Sequence, residues 1–371
     1  MMLGLMGVLI CGGASAFADR ADAQDRSVSP GGTLSARNYL QRLSPGINLG
    51  NTLEAIPKET SWGNPVTADA YFRAVRAAGF RSLRMPVAWS QYADATHRIR
   101  PEWMAHVTDT VRKANRAGLY VILNVHWDGG WMEPTNARKA TVDAKLAKFW
   151  TQIATNFRTF DDHLLFAGTN EVHIEGNYDS PTAENTAVQN GFNQIFVDAV
   201  RATGGPNLTR FLVVQGYNTN IDHTVKFNAK LPRDGVKGRL MMEIHHYSPY
   251  NFTLNEKSDI WQWGAGATDP KATEPWANEE YVDAQFGGMK RAFVDRGVPV
   301  ILGEYSAGLK PKYPGMRSYR NEWDRYVTQS AFKHGLVPMF WDIGIESGLF
   351  NRTTGAPQDP ELIRTIVAAA R

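Results

Sequence analysis

Short apolar runs alternate with amphipathic segments along this 371-residue chain from residue 43 onward. The apolar runs, such as LYVILNVH at 119–126, are nearly continuous, which is typical of strands buried on both faces of a parallel sheet. The segments between them carry apolar residues at helical spacing, and several end at glycine, as the segment 101–117 does at Gly118. The pattern predicts strands at 46–51, 80–87, 119–126, 164–171, 211–215, 239–247, 298–304 and 336–341.

Helices are predicted between most of these strands, which indicates repeated β/α units. Eight such units predict a single-domain (β/α)8 barrel, the TIM barrel, over residues 38–371. An open doubly wound sheet is the alternative, but the glycines of GINLG at 46–50 do not form the dinucleotide-binding fingerprint. The unit between the fifth and sixth strands has a poorly defined helix. The predicted helices cover 67–78, 101–117, 141–157, 183–202, 279–296, 321–334 and 360–370.

The N-terminal segment has the character of an export signal. Residues 1–23 contain a short apolar run followed by small residues, although no Lys or Arg precedes the run. We therefore expect a secreted or periplasmic protein, with a flexible lead-in at 24–37. The one cysteine, Cys11, lies in the signal segment, so the mature chain forms no disulfide. No other apolar run is long enough for a transmembrane helix, and we expect no membrane partner and a monomer.

Composition narrows the class of ligand. The net charge is only +3 and the charges are mixed, so a nucleic-acid partner is not expected. The chain has 11 Trp, 13 Tyr and 17 Phe, and many of them fall in loop-like stretches rather than in periodic ones. Such aromatics favour a stacking surface for a flat ligand such as a sugar.

Polar residues recur where the predicted strands end. Catalytic groups of a (β/α)8 barrel lie at the carboxyl ends of its strands. Each of these residues taken alone has an ordinary structural explanation, but independent structural roles do not predict polar groups at the same end of seven strands. The residues are Asn48, Arg84, His126, Asn170 with Glu171, His245 with Tyr247, Glu304, and Trp341 with Asp342.

Two of these residues have the chemistry for glycosidic bond hydrolysis. Such a bond needs an acid that protonates the leaving oxygen and a second carboxylate that attacks the anomeric carbon. Glu171 suits the acid/base and Glu304 the nucleophile, with different surroundings holding them in different protonation states. Asn170, beside the acid, can hydrogen-bond the 2-hydroxyl of the sugar.

The remaining strand-end residues suit supporting roles. Arg84 can keep the nucleophile ionised through a charge-assisted hydrogen bond, and Tyr247 can donate a hydrogen bond to it. His126 and His245 can orient substrate hydroxyls or tune the carboxylates. Trp341 can stack under the sugar ring at the scissile position.

The chain resembles glycoside hydrolase family 5, the cellulase family. The resemblance implies a (β/α)8 retaining glycosidase without a metal or other cofactor, with Glu171 as acid/base and Glu304 as nucleophile. It also implies active-site positions for Arg84, His126, Asn170, His245, Tyr247 and Trp341. The matching pieces are GINLGNTLEA (46–55), WGNP (62–65), AGFRSLRMPVAW (78–89), LNVHWDGGW (123–131), FAGTNEVH (166–173), EIHHY (243–247), VILGEY (300–305) and FWDIG (340–344).

The opening motifs resemble the endo-β-1,4-glucanase branch, so a cellulose-type β-glucan is the first expected substrate. Xyloglucan, mixed-linkage β-glucan and β-mannan remain alternatives, because Val172, Ala167 and Trp127 depart from the common family pattern. The insertion 248–278 is long enough to form a cleft wall. Predicted substrate-binding residues are Asn48, Trp62, Trp127 and Trp131 beside Trp341, with Trp261, Trp263 and Trp276 as further candidate platforms.

Two alternative functions come from other classes of protein. A metal-dependent barrel hydrolase would use His126, His173, His245 and His246, but no His-x-His follows the first strand. A sugar-binding barrel without catalysis would be expected to lack one of the two carboxylates, and both positions are Glu.

Overall fold

Eight short parallel strands close into a barrel in the order in which they occur along the chain. The computed structural model describes residues 36–227, 229–345 and 347–371, so the predicted signal 1–23 and most of the predicted lead-in lie outside the described residues. The closure of β1 onto β8 confirms the predicted (β/α)8 barrel. The strands are β1 Gly46–Asn48, β2 Ser82–Met85, β3 Tyr120–Asn124, β4 Leu164–Ala167, β5 Leu212–Gln215, β6 Leu240–His245, β7 Val300–Tyr305 and β8 Leu336–Phe340.

The helices follow the predicted pattern, although α8 ends earlier and α9 begins earlier than predicted, and the one-turn helix α7 was not predicted. Helix α4 begins at Asn136, before the predicted residue 141, because the Thr135 hydroxyl accepts a hydrogen bond from the Arg138 N–H. The poorly defined helix between β5 and β6 is the short α6, and α1 was not predicted. No helix of the described residues is long and apolar enough to cross a bilayer. The helices are α1 Ala36–Leu43, α2 Asp69–Ala78, α3 Pro101–Arg116, α4 Asn136–Asn156, α5 Ala183–Ala202, α6 Ile221–Lys226, α7 Tyr250–Thr253, α8 Glu279–Ala292, α9 Met316–Lys333 and α10 Pro360–Ala369.

Alternate residues of strands β3 to β8 pack into two separate apolar clusters. One face packs against the surrounding helices, and the other fills the amino-terminal half of the barrel interior. Helix α1 closes that end, because its Tyr39 ring stacks on Phe211 at a centroid distance of 4.1 Å and Leu43 is fully buried. The predicted lead-in thus gives way to this helix at Ala36.

The carboxyl-terminal half of the barrel interior is polar instead. Within β6, Met241 belongs to the apolar cluster, while Glu243 and His245 follow at two-residue spacing and are buried. Arg84, Asn124 and Gln215 are also fully buried. Buried polar groups need partners, and these partners make up the candidate site.

Candidate active site

Glu304 enters the barrel because the pairing of β7 is irregular. Leu302 pairs with Pro338 and Tyr305 with Phe340, so two residues of β7 stand opposite one residue of β8. Leu302 and Tyr305 both belong to the outer apolar cluster. Such a bulge re-aims the intervening side chain, and the Glu304 carboxylate is buried among the polar groups of the interior.

Glu171 lies just beyond the end of β4 in a left-handed backbone conformation with φ of 46°. That conformation costs a non-glycine residue on the order of 1–3 kcal/mol. The backbone N–H of Glu171 donates a hydrogen bond of 3.1 Å to Gln215 Oε1, which helps hold it. The side chain is 37% exposed, so the carboxyl group reaches solvent and can meet a ligand.

The Arg84 guanidinium joins four acceptors in the barrel interior. Nη1 donates to Glu304 Oε1 at 2.8 Å and to Asn48 Oδ1 at 3.0 Å. Nη2 donates to Asn170 Oδ1 at 2.5 Å, and Nε lies 2.9 Å from Glu243 Oε1. The structure therefore brings Arg84, Asn170 and Glu304 together as the sequence predicted, and adds Glu243.

Asn48 does not face the cleft, which corrects the prediction that it contacts substrate. Its side chain is fully buried. Nδ2 donates to the carbonyl oxygens of Gly303 at 2.8 Å, Met339 at 3.1 Å and Phe340 at 3.2 Å, and Oδ1 accepts from Arg84. With its polar atoms occupied, Asn48 ties β1 to β7 and β8 and supports Arg84 from behind.

His245 lies between three carboxylates. Nδ1 is 2.7 Å from Glu171 Oε1 and 3.7 Å from Glu304 Oε2, and Nε2 is 3.0 Å from Glu243 Oε1. Burial opposes a positive charge on His245, but the charges of Glu304 and Glu171 and hydrogen bonds to Glu171 and Glu243 raise its pKa to about 9. His245 is therefore an imidazolium at neutral pH.

The two candidate catalytic carboxylates share this cation and titrate as a coupled pair. Burial raises the pKa of Glu304, against the opposing charges of His245 and Arg84. Burial also opposes ionisation of Glu171, but the hydrogen bond and charge of His245 lower its pKa.

Tyr247 and His126 occupy the places that the sequence predicted beside this pair. The Tyr247 hydroxyl donates to Glu304 Oε2 at 3.1 Å. Burial, with the charge of Arg84, lowers the pKa of His126 well below its usual range, so the ring is neutral. Its Nδ1 lies 3.0 Å from Asn124 Nδ2, and since that amide can only donate, Nε2 carries the proton of His126.

Trp341 is positioned by its neighbours at the end of β8. Its ring lies nearly parallel to that of His126, with centroids 6.0 Å apart and planes at 13°. A Cβ atom at Gly50 would come within 3.1 Å of the Trp341 ring and 2.8 Å of the Asp342 carbonyl oxygen. Only glycine permits this close approach of the chain after β1.

The other predicted aromatic platforms lie in loops, and they differ in exposure. Trp62 and Trp127 are 39% and 38% exposed. Trp131 is half-buried, donates its indole N–H to Asp128 Oδ1 at 2.6 Å and has Lys145 Nζ 4.2 Å from its ring centroid. A small cavity of about 20 Å³ beside Glu171 is lined by Trp127, Asp128, Gly130, Trp131, Met132, Asn170, Glu171, Val172, His173 and Glu175.

In the insertion 248–278, packing accounts for two of the three tryptophans. Trp263 is buried and donates its indole N–H to the Ala277 carbonyl oxygen at 2.6 Å. Trp261 stacks on Tyr313 at a centroid distance of 5.3 Å. Trp276 is 56% exposed, which makes it the available platform among the three.

The histidines proposed as metal ligands are not gathered into one site. Within the described ranges, groups of three close His, Asp or Glu residues occur at 161–163 on the surface and at Glu171, His245 and Glu304. His246 points to the other face of β6 and stacks on Trp323 at 5.9 Å. A divalent cation at the second group would sit beside Arg84 and the His245 imidazolium, and their positive charges oppose its binding.

Glu243, Gln215 and Asn124 were missed from the sequence as site residues. One available signal was the alternation of side chains along a strand. Glu243 is two residues before His245 in the same strand, so both side chains lie on the inward face. A charged residue inside an otherwise apolar buried strand also indicates a partner. The partners themselves, Arg84 above all, are distant in sequence and were not readable from it.

Comparison with known proteins gives the same picture. Residues 48–347 match the profile of the Cellulase family, glycosyl hydrolase family 5. The chain is 41% identical to a xyloglucan-specific endo-beta-1,4-glucanase of Bacteroides ovatus, over 93% of this chain and 73% of that protein. It is 36% identical to endoglucanase A of Paenibacillus barcinonensis, over 90% of each chain. A solved Bacteroides ovatus GH5 xyloglucanase, in complex with a XXXG heptasaccharide, superposes with a TM-score of 0.88 at 40% identity, covering 92% of this chain and 78% of that one.

Proposed function

Because the chain belongs to glycoside hydrolase family 5, we propose that it is a retaining endo-β-1,4-glucanase that uses Glu171 as acid/base and Glu304 as nucleophile. The separation of the two carboxylates carries this proposal. An oxygen of Glu171 and an oxygen of Glu304 lie within 4.8 Å of each other. Carboxyl groups of retaining enzymes are about 5–5.5 Å apart, whereas inverting enzymes need about 6.5–9.5 Å to admit a water molecule.

In the first step, Glu304 attacks the anomeric carbon and Glu171 gives its proton to the leaving oxygen. The hydrogen bonds from Arg84 and Tyr247 hold negative charge on Glu304 until it attacks. A bound sugar covers the exposed face of Glu171, and this loss of solvent raises the pKa of Glu171 so that the acid is protonated when needed. The product is a glycosyl ester of Glu304.

In the second step, a water molecule attacks the anomeric carbon and breaks the ester bond to Glu304. Glu171, now ionised, takes the proton of that water as general base. Two displacements on the same carbon return the original anomeric configuration. The nearby His245 imidazolium stabilises the charge that Glu171 carries between the two steps.

The surrounding residues suit a pyranose ring at the scissile position. Arg84 donates a hydrogen bond to Asn170 Oδ1, and the amide N–H groups of Asn170 can then donate to a sugar 2-hydroxyl. His126 presents its protonated Nε2 as a further donor, and Trp341 offers an apolar face. Trp62, Trp127 and Trp276 are exposed in loops and are our candidates for stacking on sugars farther along the chain.

A β-1,4-glucan of the cellulose type is the first substrate that we propose, since an endoglucanase is among the similar proteins. Xyloglucan is the second, and it is favoured by the xyloglucan-specific relative at 41% identity. Both have the same β-1,4-glucan backbone and require the same reaction. The export signal expected at residues 1–23 would bring the enzyme to such polysaccharides outside the cytoplasm.

Initial rates on a panel of polysaccharides test this function. We expect reducing ends to be released from carboxymethylcellulose or xyloglucan, with a fall in viscosity that shows cleavage within the chain. The Glu304→Ala protein serves as the matched blank. Cleavage of β-mannan alone would overturn the substrate class, and equal rates from the blank would overturn the role of Glu304. Loss of activity in a chelator would instead favour the metal-dependent hydrolase.

A further inference from the structure

The proposed roles of Glu171 and Glu304 leave a third carboxylate around His245 without a function. Glu243 lies in β6, and its side chain is 1% exposed, so it cannot reach substrate. An ionised carboxylate at this depth is costly unless it is paired. Its position at the base of the site therefore calls for a reason other than substrate contact.

One oxygen of Glu243 meets both cations of the site. Oε1 lies 2.9 Å from Arg84 Nε and 3.0 Å from His245 Nε2. The barrel leaves room for it at the neighbouring strand, since a Cβ atom at Gly303 would lie 2.2 Å from that oxygen. Gly303, which directly precedes Glu304 in β7, thus makes room for the Glu243 carboxylate because it has no side chain.

The positions of the hydrogen-bond partners of His245 indicate that its ring is doubly protonated. Each ring nitrogen lies within hydrogen-bond distance of a carboxylate oxygen, Nδ1 beside Glu171 and Nε2 beside Glu243. A neutral imidazole has one N–H and can donate to only one of them, whereas an imidazolium donates to both. Glu243 therefore provides the second acceptor that a doubly protonated His245 requires.

The sum of charges leads to the same conclusion. The groups that face His245 and Glu243 come from five strands or strand ends: Arg84, the neutral His126, Glu171, the uncharged Gln215 and Glu304. With Glu171 protonated, the cations Arg84 and His245 balance the anions Glu243 and Glu304. Without the charge of Glu243 the buried cluster would carry an excess positive charge, and it would lose a proton more easily.

We propose that Glu243 is a positioning residue that keeps His245 cationic and thereby strengthens Glu171 as a general acid. The inference rests on the proposed roles of Glu171 and Glu304. When Glu171 gives its proton to the leaving oxygen, a carboxylate forms 2.7 Å from His245 Nδ1, and the imidazolium stabilises it. Glu243 and His245 exchange no proton with substrate in this step.

The test is the isosteric variant Glu243→Gln, which removes the charge but retains a carbonyl acceptor. We expect the alkaline limb of the kcat profile to move down by about one pH unit or more, since the variant loses the proton of the His245–Glu171 pair at lower pH. We expect kcat to fall about tenfold or more on substrates with poor leaving groups. On activated aryl glycosides, which need little acid assistance, the fall should be less than about threefold.

The charge of His245 is measured separately by ¹⁵N NMR of its ring nitrogens, assigned by their loss in a His245→Asn variant. We expect an imidazolium at pH 7.5 in the parent protein and a neutral ring in Glu243→Gln. Glu59→Gln is the matched control, because Glu59 forms an analogous pair with His106 Nε2 at 2.6 Å outside the site. It should affect the His106 signal and leave the kcat profile in place.

Two results would overturn the inference. One is a His245 ring that stays protonated in Glu243→Gln, and the other is an equal loss of kcat on good and poor leaving groups. Failure of the proposed function would be distinct, because Glu171→Ala and Glu304→Ala would then keep their activity whatever the NMR shows. A parallel fall in melting temperature without any change in the charge of His245 would assign Glu243 a purely structural role.

Discussion

Arg84→Lys tests whether the several N–H donors of the Arg84 guanidinium, rather than its positive charge alone, organise the site. Arginine reaches Glu304, Asn48, Asn170 and Glu243 from three different nitrogens. Lysine keeps the charge but donates from one atom and cannot span acceptors on opposite sides of the guanidinium. We expect it to keep the contacts on one side and to lose two hydrogen bonds on the other.

The magnitude follows from those two bonds. A hydrogen bond involving a charged group contributes about 1.5–3 kcal/mol, so Arg84→Lys should cost about 3 kcal/mol in transition-state stabilisation. That corresponds to a fall of about 10²-fold in kcat/KM. If the hydrogen bond to Glu304 is weakened, its pKa rises, and the acid limb of the kcat/KM profile moves to higher pH. Steady-state rates on an aryl β-cellobioside between pH 4 and 9 measure both effects.

Arg352→Lys provides a control for the loss of a buried guanidinium. Arg352 is buried like Arg84, and its Nη1 donates to Asp342 Oδ2 at 2.8 Å rather than to a candidate catalytic carboxylate. We expect its variant to lower the melting temperature without moving the acid limb. A value of kcat/KM for Arg84→Lys within about threefold of the parent would refute the reasoning, because charge alone would then suffice. An equal shift of the acid limb in both variants would also refute it.

Three further predictions concern individual carboxylates. Glu304→Ala should abolish turnover, and azide should restore it with inverted anomeric configuration in the product, as followed by NMR; a folded variant without rescue would argue against the nucleophile. Glu171→Ala should reduce rates on poor leaving groups far more than on activated aryl glycosides, and equal losses would count against the acid role. Burial raises the pKa of Asp324 to about 8, above that of an aspartate in the unfolded chain, so the protein loses stability as pH rises from about 4 to about 8. Asp324→Asn keeps an acceptor for the Ala307 N–H. The melting temperature of the variant relative to that of the parent should therefore increase as the pH rises from about 5 to 8, and a difference that does not change with pH would contradict this.

Much of the barrel was predictable because its causes are local. Apolar runs are buried on both faces in a parallel sheet, and glycine and capping residues bound the helices, so strands and most helices were recognised. Helix α1 was missed because its role is to close the amino end of the barrel. The apolar side chains Tyr39 and Leu43 fit that place only when the interior residues of distant strands are assembled.

The loop aromatics show the limit of composition as a guide. Trp263 and Trp276 lie in the same insertion and are chemically identical, yet Trp263 is buried and Trp276 is 56% exposed. The difference comes from the fold of the loop, in which Trp263 finds a hydrogen-bond acceptor at Ala277. Nothing in the local sequence separates a tryptophan that packs the loop from one that faces a ligand.

The sequence by itself determined which residues stand at the carboxyl ends of the strands, because each apolar strand and the polar residues that follow it are recognisable within a short segment of the chain. The tertiary structure decided where their side chains point and what they meet. Regular alternation would place Glu304 on the outer face with Leu302, and the irregular pairing of β7 with both of its neighbours, β6 and β8, turns it inward. Asn48 became a support for Arg84, and Glu243 a partner of both cations, since these contacts join strands that are far apart in the chain.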